Sequence, residues 1–290
     1  MIRVGVVGAG PWATMVHAPV FSAGPETELS GVWARRPEAA QAIVDRHGGE
    51  VYADVDALLA ASDVVAFAVP PDVQAGIGVQ AAEAGKALVL EKPIALTLPD
   101  AERLAAAAAG VPTLVVLSWR YAAAVRAYLA DVAATAPLGG RAIFASGAAL
   151  GGPFATPWRL EHGPLFDLGP HVLDLLDAAM GTIVDVRAAG DPLGWITLAC
   201  THESGVTSAA SLTMSTGIQP HRAGIEVYTA DRVLELDCAS AVGVEAFSTL
   251  RAELAELVAN GTTHPSLGVE RGLHLQRLID AAARQLSSTR

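Results

Sequence analysis

The stretch "RVGVVGAGPWA", residues 3–13, constrains this chain more than any other. A short apolar strand runs into Gly8, and Gly8, Gly10 and Ala13 keep the G-x-G-x-x-G/A spacing. Gly8 permits a tight turn, Gly10 lets an anion approach the backbone, and Ala13 allows close helix packing. With Pro11 and Trp12 completing the loop, the helix start that follows offers free N–H groups and a positive dipole end to a pyrophosphate. The pattern is weak in isolation. Its place at the first strand–helix junction of a βαβ unit favours dinucleotide binding over a structural turn.

The rest of the first ~120 residues repeats that alternation. Apolar strands "ELSGVWA", "DVVAFAV", "ALVLE" and "TLVVLSW" are separated by helical patterns such as "PEAAQAIVDRHG", "DVQAGIGVQAAEAG" and "LPDAERLAAAAAG". Strands that are apolar throughout imply a parallel sheet covered on both faces, the doubly wound α/β Rossmann arrangement. The period then changes. After a helix over 122–134, alternating strands "RAIFASGAAL", "GWITLACTHE", "VTSAASLTM", "GIEVYTA" and "VLELDC" predict an open, mostly antiparallel sheet, with a helix inserted at 170–180. Helices return at 246–259 and 269–285. The expectation is a Rossmann domain over 1–118 and an α+β domain over 119–290, which would bind substrate and assemble the oligomer.

The totals exclude several classes of function. A formal net charge of −11 disfavours binding to nucleic acid or an anionic membrane. No apolar stretch escapes interruption: Gly110 and Pro112 divide "LAAAAAGVPTLVVLSW" into a helix end and a strand. Cys200 and Cys238 read as small buried hydrophobes. The histidines lack ligand spacing, so no metal site is expected. Met1-Ile2-Arg3 leads into a strand without a signal-peptide pattern, and the expected location is the cytoplasm.

The second strand speaks to the choice of dinucleotide. NAD sites place an acid at its tip, whereas this one ends in Ala34-Arg35-Arg36. A guanidinium pairs with a 2′-phosphate that a carboxylate would repel, so NADP is favoured over NAD. The other reading makes Arg35 and Arg36 a solvated helix start.

Lys92 stands at the carboxyl end of the strand "ALVLE", between Glu91 and Pro93, in a chain with one other lysine, Lys86. Ligands of open α/β sheets bind outside the carboxyl ends of strands. Pro93 restricts the backbone at Lys92 and admits a cis bond. In "GPLFDLGPHVLDLL", Pro170 suits a first helical turn, and His171 and Asp174 fall three apart on one face.

"GAGPWA", "AAEAGKALVLEKPIAL" and "GPLFDLGPHVLDLL", in this order, resemble the glucose–fructose oxidoreductase/inositol dehydrogenase (Gfo/Idh/MocA) family. The resemblance implies an NAD(P)-dependent enzyme moving hydride between nicotinamide and a hydroxyl or carbonyl carbon of a sugar, cyclitol or related ring. It matches Lys92 to the family's motif lysine, Asp167 and His171 to its second motif, and Arg120-Tyr121 and Trp158-Arg159 to residues near the substrate. Val69, Pro70 and Pro71 would form the loop over the cofactor. Gln74 stands where the family often has histidine. The expected catalytic set is Lys92, His171 and Asp167, with His171 preferred as base and Lys92 as the group polarising the oxygen. Asp174 could orient the imidazole, and Asp167 could cap the helix or face substrate. The expected partners are a small-molecule substrate and further copies of the chain, a homodimer or homotetramer through the second sheet. A non-catalytic NAD(P)-binding regulator of the same fold is the alternative, and the joint presence of Lys92, Asp167 and His171 argues against it.

Overall fold

The structure, a computed structural model, describes residues 1–243 and 245–287. The chain forms two compact units. The first comprises residues 1–116 together with 247–274, so this late segment packs with the N-terminal sheet rather than with the rest of 119–290.

In the first unit, β1 (Ile2–Val7), β2 (Thr27–Trp33), β3 (Glu50–Val51), β4 (Val64–Phe67), β5 (Ala87–Leu90) and β6 (Thr113–Val115) make one sheet of order β3-β2-β1-β4-β5-β6. Every pairing is parallel. The order reverses between β1 and β4, which places a crevice beyond their carboxyl ends. All residues of β4 and β5 are buried, as a sheet covered on both faces requires.

A π-helical turn, Ala13–His17, continues into α1 (Ala18–Ser22). Then come α2 (Pro37–His47), α3 (Val55–Ala61), α4 (Pro71–Glu83) and α5 (Leu98–Ala108). Their ends follow local chemistry: Pro37 opens α2, and the Asp54 and Thr97 side chains accept N–H groups at the starts of α3 and α5. Neither α3 nor the two-residue β3 was expected. Arg251 joins residues 247–274 to the start of the fold, with Nε 2.7 Å from Glu26 and Nη1 donating to the Val20 carbonyl.

The second unit opens with a 3-10 turn, Ser118–Tyr121, and α6 (Ala123–Ala133). It continues through β7 (Gly139–Ala145), α7 (Pro157–Asp167), α8 (Gly169–Met180), β8 (Ile183–Gly190), β9 (Trp195–His202), β10 (Thr207–Thr213), β11 (Arg222–Tyr228), β12 (Val233–Asp237) and α9 (Cys238–Ala241). Two long helices follow, α10 (Glu245–Asn260) and α11 (Val269–Ser287). The second sheet runs β12-β11-β7-β10-β9-β8 and is antiparallel except between β7 and β10. Buried and exposed residues alternate along β9 and β11, so one face is covered. The Gln285 amide on α11 pairs with the β8 backbone at Val186 and Ala188. Burial pushes the Cys200 thiol up to about 11 and the Cys238 thiol up to about 12, keeping both neutral. Among the described residues, no helix is long and apolar enough to cross a membrane.

Arg3 on β1 forks onto Asp63, just before β4, with Nη2–Oδ1 at 2.7 Å and Nε–Oδ2 at 3.2 Å. Those hydrogen bonds hold the Asp63 carboxyl below its ordinary value. A depressed carboxylate pKa gives stability that is complete above the unfolded value and lost as pH falls through the folded one. Asp63→Asn is therefore expected to lower the urea midpoint at neutral pH. The gap to the parent should close on acidification and narrow in high salt; a gap independent of pH would contradict the assignment.

Candidate active site

The crevice side of the first unit is built on backbone. Gly8 has φ +115°, and a Cβ there would lie 2.4 Å from the Ala68 carbonyl oxygen, at the end of β4. Its N–H donates to the Trp33 carbonyl, and the Ala68 N–H to that of Val7, so the loop is tied to both neighbouring strands. Gly10 differs: nothing comes nearer to its missing Cβ than the Ala68 oxygen at 4.0 Å. That open backbone beside a helix start suits a pyrophosphate, and the residues fit a dinucleotide in this respect. Ala13 is buried, with Pro11 and Trp12 half-buried beside it.

Val69 and Pro70 are half-buried next to Gly8, and Pro71 opens α4. Arg35 and Arg36 are exposed beyond β2, and neither forms an ion pair among the described residues; Glu38 does not engage them.

The turn after β5 carries Glu91, Lys92 and Pro93, with a cis Lys92–Pro93 bond. Glu91 reaches back to the glycine loop. Its Oε1 accepts the indole N–H of Trp12 and lies 2.9 Å from His17 Nε2. His17 is 2% exposed and stacks on Phe21, and Trp12 meets Phe247 edge-on at 6.3 Å. The backbone of the same turn is held by Gln74, as described below. Glu91 and His17 are 74 residues apart in sequence, and no local pattern announces their pairing.

The second unit assembles another group. His171 lies in the first turn of α8, and Trp119 stacks on its ring at 5.2 Å, with Phe144 of β7 at 6.3 Å. Arg120 Nη1 donates to both oxygens of Asp174, at 3.1 and 3.2 Å. The Asp174 carboxylate, which could orient the imidazole, is engaged by a guanidinium, and aromatic rings flank His171.

Asp167 stands just ahead of α8, as expected, but does not cap it. It ends α7, an unexpected helix kinked at Gly163, and the position capping α8 is Leu168. Asp167 is paired with Arg159 at 3.1 Å, and the Arg159 guanidinium lies over Trp158 at 4.6 Å and Phe154 at 5.8 Å. Tyr121 is 1% exposed, with the Arg126 guanidinium 5.9 Å from its ring centre. Sequence reasoning passed over Trp119, Phe144 and His221, which stacks on Phe144 at 6.1 Å. The described residues contain no group of three or more His, Cys, Asp or Glu able to hold a metal ion.

Residues 2–117 match the model of the Gfo/Idh/MocA oxidoreductase family, NAD-binding Rossmann fold. The chain is 36% identical over 176 residues to the D-apiose dehydrogenase of Paraburkholderia graminis, covering 54% of this chain and 46% of that one. It is 40% identical over 107 residues to the inositol 2-dehydrogenase of Rhizobium meliloti, covering 36% and 31%. The chain thus spans less than half the length of these two relatives. GenD2 from gentamicin A biosynthesis, solved in complex with NAD, has a TM-score of 0.87 at 21% identity, covering 100% of this chain and 95% of that one, a likeness of fold. Residues 2–117 are thereby identified as the NAD-binding Rossmann fold of the Gfo/Idh/MocA oxidoreductases.

Proposed function

We propose that this chain is an NAD(P)-dependent oxidoreductase acting on a hydroxyl or carbonyl carbon of a sugar, cyclitol or related ring. One observation carries the reading: the turn bearing Lys92 is joined through Glu91 to Trp12 of the glycine loop, so a lysine side chain and a dinucleotide cradle belong to one braced assembly. The sugar and cyclitol dehydrogenases among its relatives support the substrate class.

In this reading Gly8, Gly10 and Ala13 receive the pyrophosphate, and Val69, Pro70 and Pro71 border the cofactor. The nicotinamide, when bound, supplies or accepts the hydride. Lys92 donates a hydrogen bond to the reacting oxygen, favouring negative charge there. His171 takes the hydroxyl proton during oxidation and returns it during reduction. Asp167, held by Arg159, contributes an acceptor for a substrate hydroxyl. Arg120 serves the α8 framework through Asp174.

Purified protein is expected to change reduced-nicotinamide absorbance with at least one member of a panel of sugars and cyclitols. Lys92→Met should lower turnover by about 10²–10³-fold, the loss expected on removing a donor aimed at developing negative charge, with cofactor affinity nearly intact. Cofactor binding without turnover across the panel would favour a regulator instead.

We further propose a preference for NADP, supported by two exposed arginines and no acid at the tip of β2. Arg35→Asp should weaken NADP binding far more than NAD binding in calorimetric titrations; equal losses would refute a role for Arg35 in reading the phosphate. We also read the chain as a cytoplasmic homodimer or homotetramer joined through the second sheet, whose β9 and β11 leave alternate residues exposed. Light scattering should then report two or four chains, and a monomeric mass would overturn that assembly.

A further inference from the structure

We propose that Gln74 is the positioning residue for Lys92. The assignment of chemistry to Lys92 rests on the function proposed above; the placement of its side chain by Gln74 does not. Among the described residues buried in α4, Gln74 alone is polar; the others are Pro71, Ala75, Gly78, Ala81 and Ala82. It is 0% exposed. A carboxamide in such a place is unfavourable unless its hydrogen-bonding capacity is met.

The backbone of the lysine turn meets that capacity. Gln74 Oε1 accepts the Glu91 N–H at 2.8 Å. Its Nε2 donates to the carbonyls of Glu91 at 2.7 Å, Ile94 at 3.2 Å and Pro93 at 3.3 Å. One side chain therefore grips the main chain on both sides of Lys92. The need arises locally. β5 ends at Leu90, so the polar groups of Glu91 lie beyond the strand, and Pro93 has no N–H to contribute. With residues 91, 93 and 94 held, the side chain of Lys92 starts from a fixed Cα. An apolar side chain of equal volume would fill the same space and leave these backbone groups without the amide.

The chain offers a direct readout, because Lys86 and Lys92 are its two lysines. Lys86 immediately precedes β5, at the end away from the turn, and serves as the internal reference. The experiment compares the parent chain with Gln74→Met, which keeps the volume, and Gln74→Asn, which keeps the amide but shortens its reach. Reductive methylation with ¹³C-formaldehyde labels both lysines and the α-amine of the N-terminus, and Lys86→Arg and Lys92→Arg assign the two lysine signals. In both Gln74 variants the Lys92 methyl signal should move towards that of an exposed lysine, with the Lys86 signal unchanged. In unlabelled samples turnover should fall about 10–100-fold, as for a displaced catalytic group, with cofactor affinity within about twofold of the parent. Adding either change to Lys92→Met should lower the residual turnover no further.

An unmoved Lys92 signal in a folded variant, or an equal fall in the Lys92→Met background, overturns the proposal. If Gln74→Met does not fold, the milder Gln74→Asn decides. If the parent turns over nothing, the proposed function fails, and the methyl signals alone still decide whether Gln74 places Lys92.

Discussion

The Glu91 carboxylate joins two pieces of the first unit that would otherwise be independent. The glycine loop and its helix follow β1, the lysine turn follows β5, and β4 lies between those strands. One oxygen of Glu91 bridges the gap by accepting from Trp12 and meeting His17. The partners are removed from water: the His17 side chain is 3% exposed, and that of Glu91 13%. A buried donor deprived of its acceptor costs about 1–3 kcal/mol, more than the median exposed ion pair contributes. The junction therefore outweighs a surface pair such as Arg3–Asp63 in determining where the turn sits. Gln74 holds the same turn by its main chain. Side chain and backbone are thus constrained by different elements, and Lys92 is the residue between them.

That arrangement explains why a chain that uses arginine almost everywhere keeps lysine here. A guanidinium presents a planar fork of donors and is best satisfied by a carboxylate in the same plane. Arg3 and Arg141 are used in that way, against Asp63 and Glu226. At position 92 the adjacent carboxylate is already occupied by Trp12 and His17. A compact ammonium on a flexible stem needs no planar partner, and it can act as a point donor to a single oxygen.

Much of this was legible in the residues, for local reasons. The glycine spacing, the apolar strands and the helix stops at Gly48 and Gly85 are set within a few positions, and each appears where expected. The misses follow from interrupted or absent periods. α7 went unnoticed because Gly163, at φ +71°, and Pro164 break its helical pattern, and Asp167 was then read as a candidate cap of α8 rather than as the end of α7. β8 was missed because its burial does not alternate; its register with β9 shifts between Ile183 and Asp185. The return of residues 247–274 to the first unit could not be read, since an amphipathic helix does not say which sheet it covers. Gln74 was visible as a departure from a family pattern, but its purpose lies in a turn 17 residues away.

The second unit solves a similar positioning problem with different chemistry. Consecutive residues of one 3-10 turn, Trp119 and Arg120, contact α8 at His171 and Asp174, positions one helical turn apart. Trp119 fixes the plane of the imidazole by stacking, and Arg120 fixes the helix below it by an ion pair whose carboxylate is 2% exposed. Breaking a buried pair leaves an uncompensated charge and is costly, so the turn and the helix are bound to move together. The i, i+3 spacing places His171 and Asp174 on one helix face, where one turn grips both.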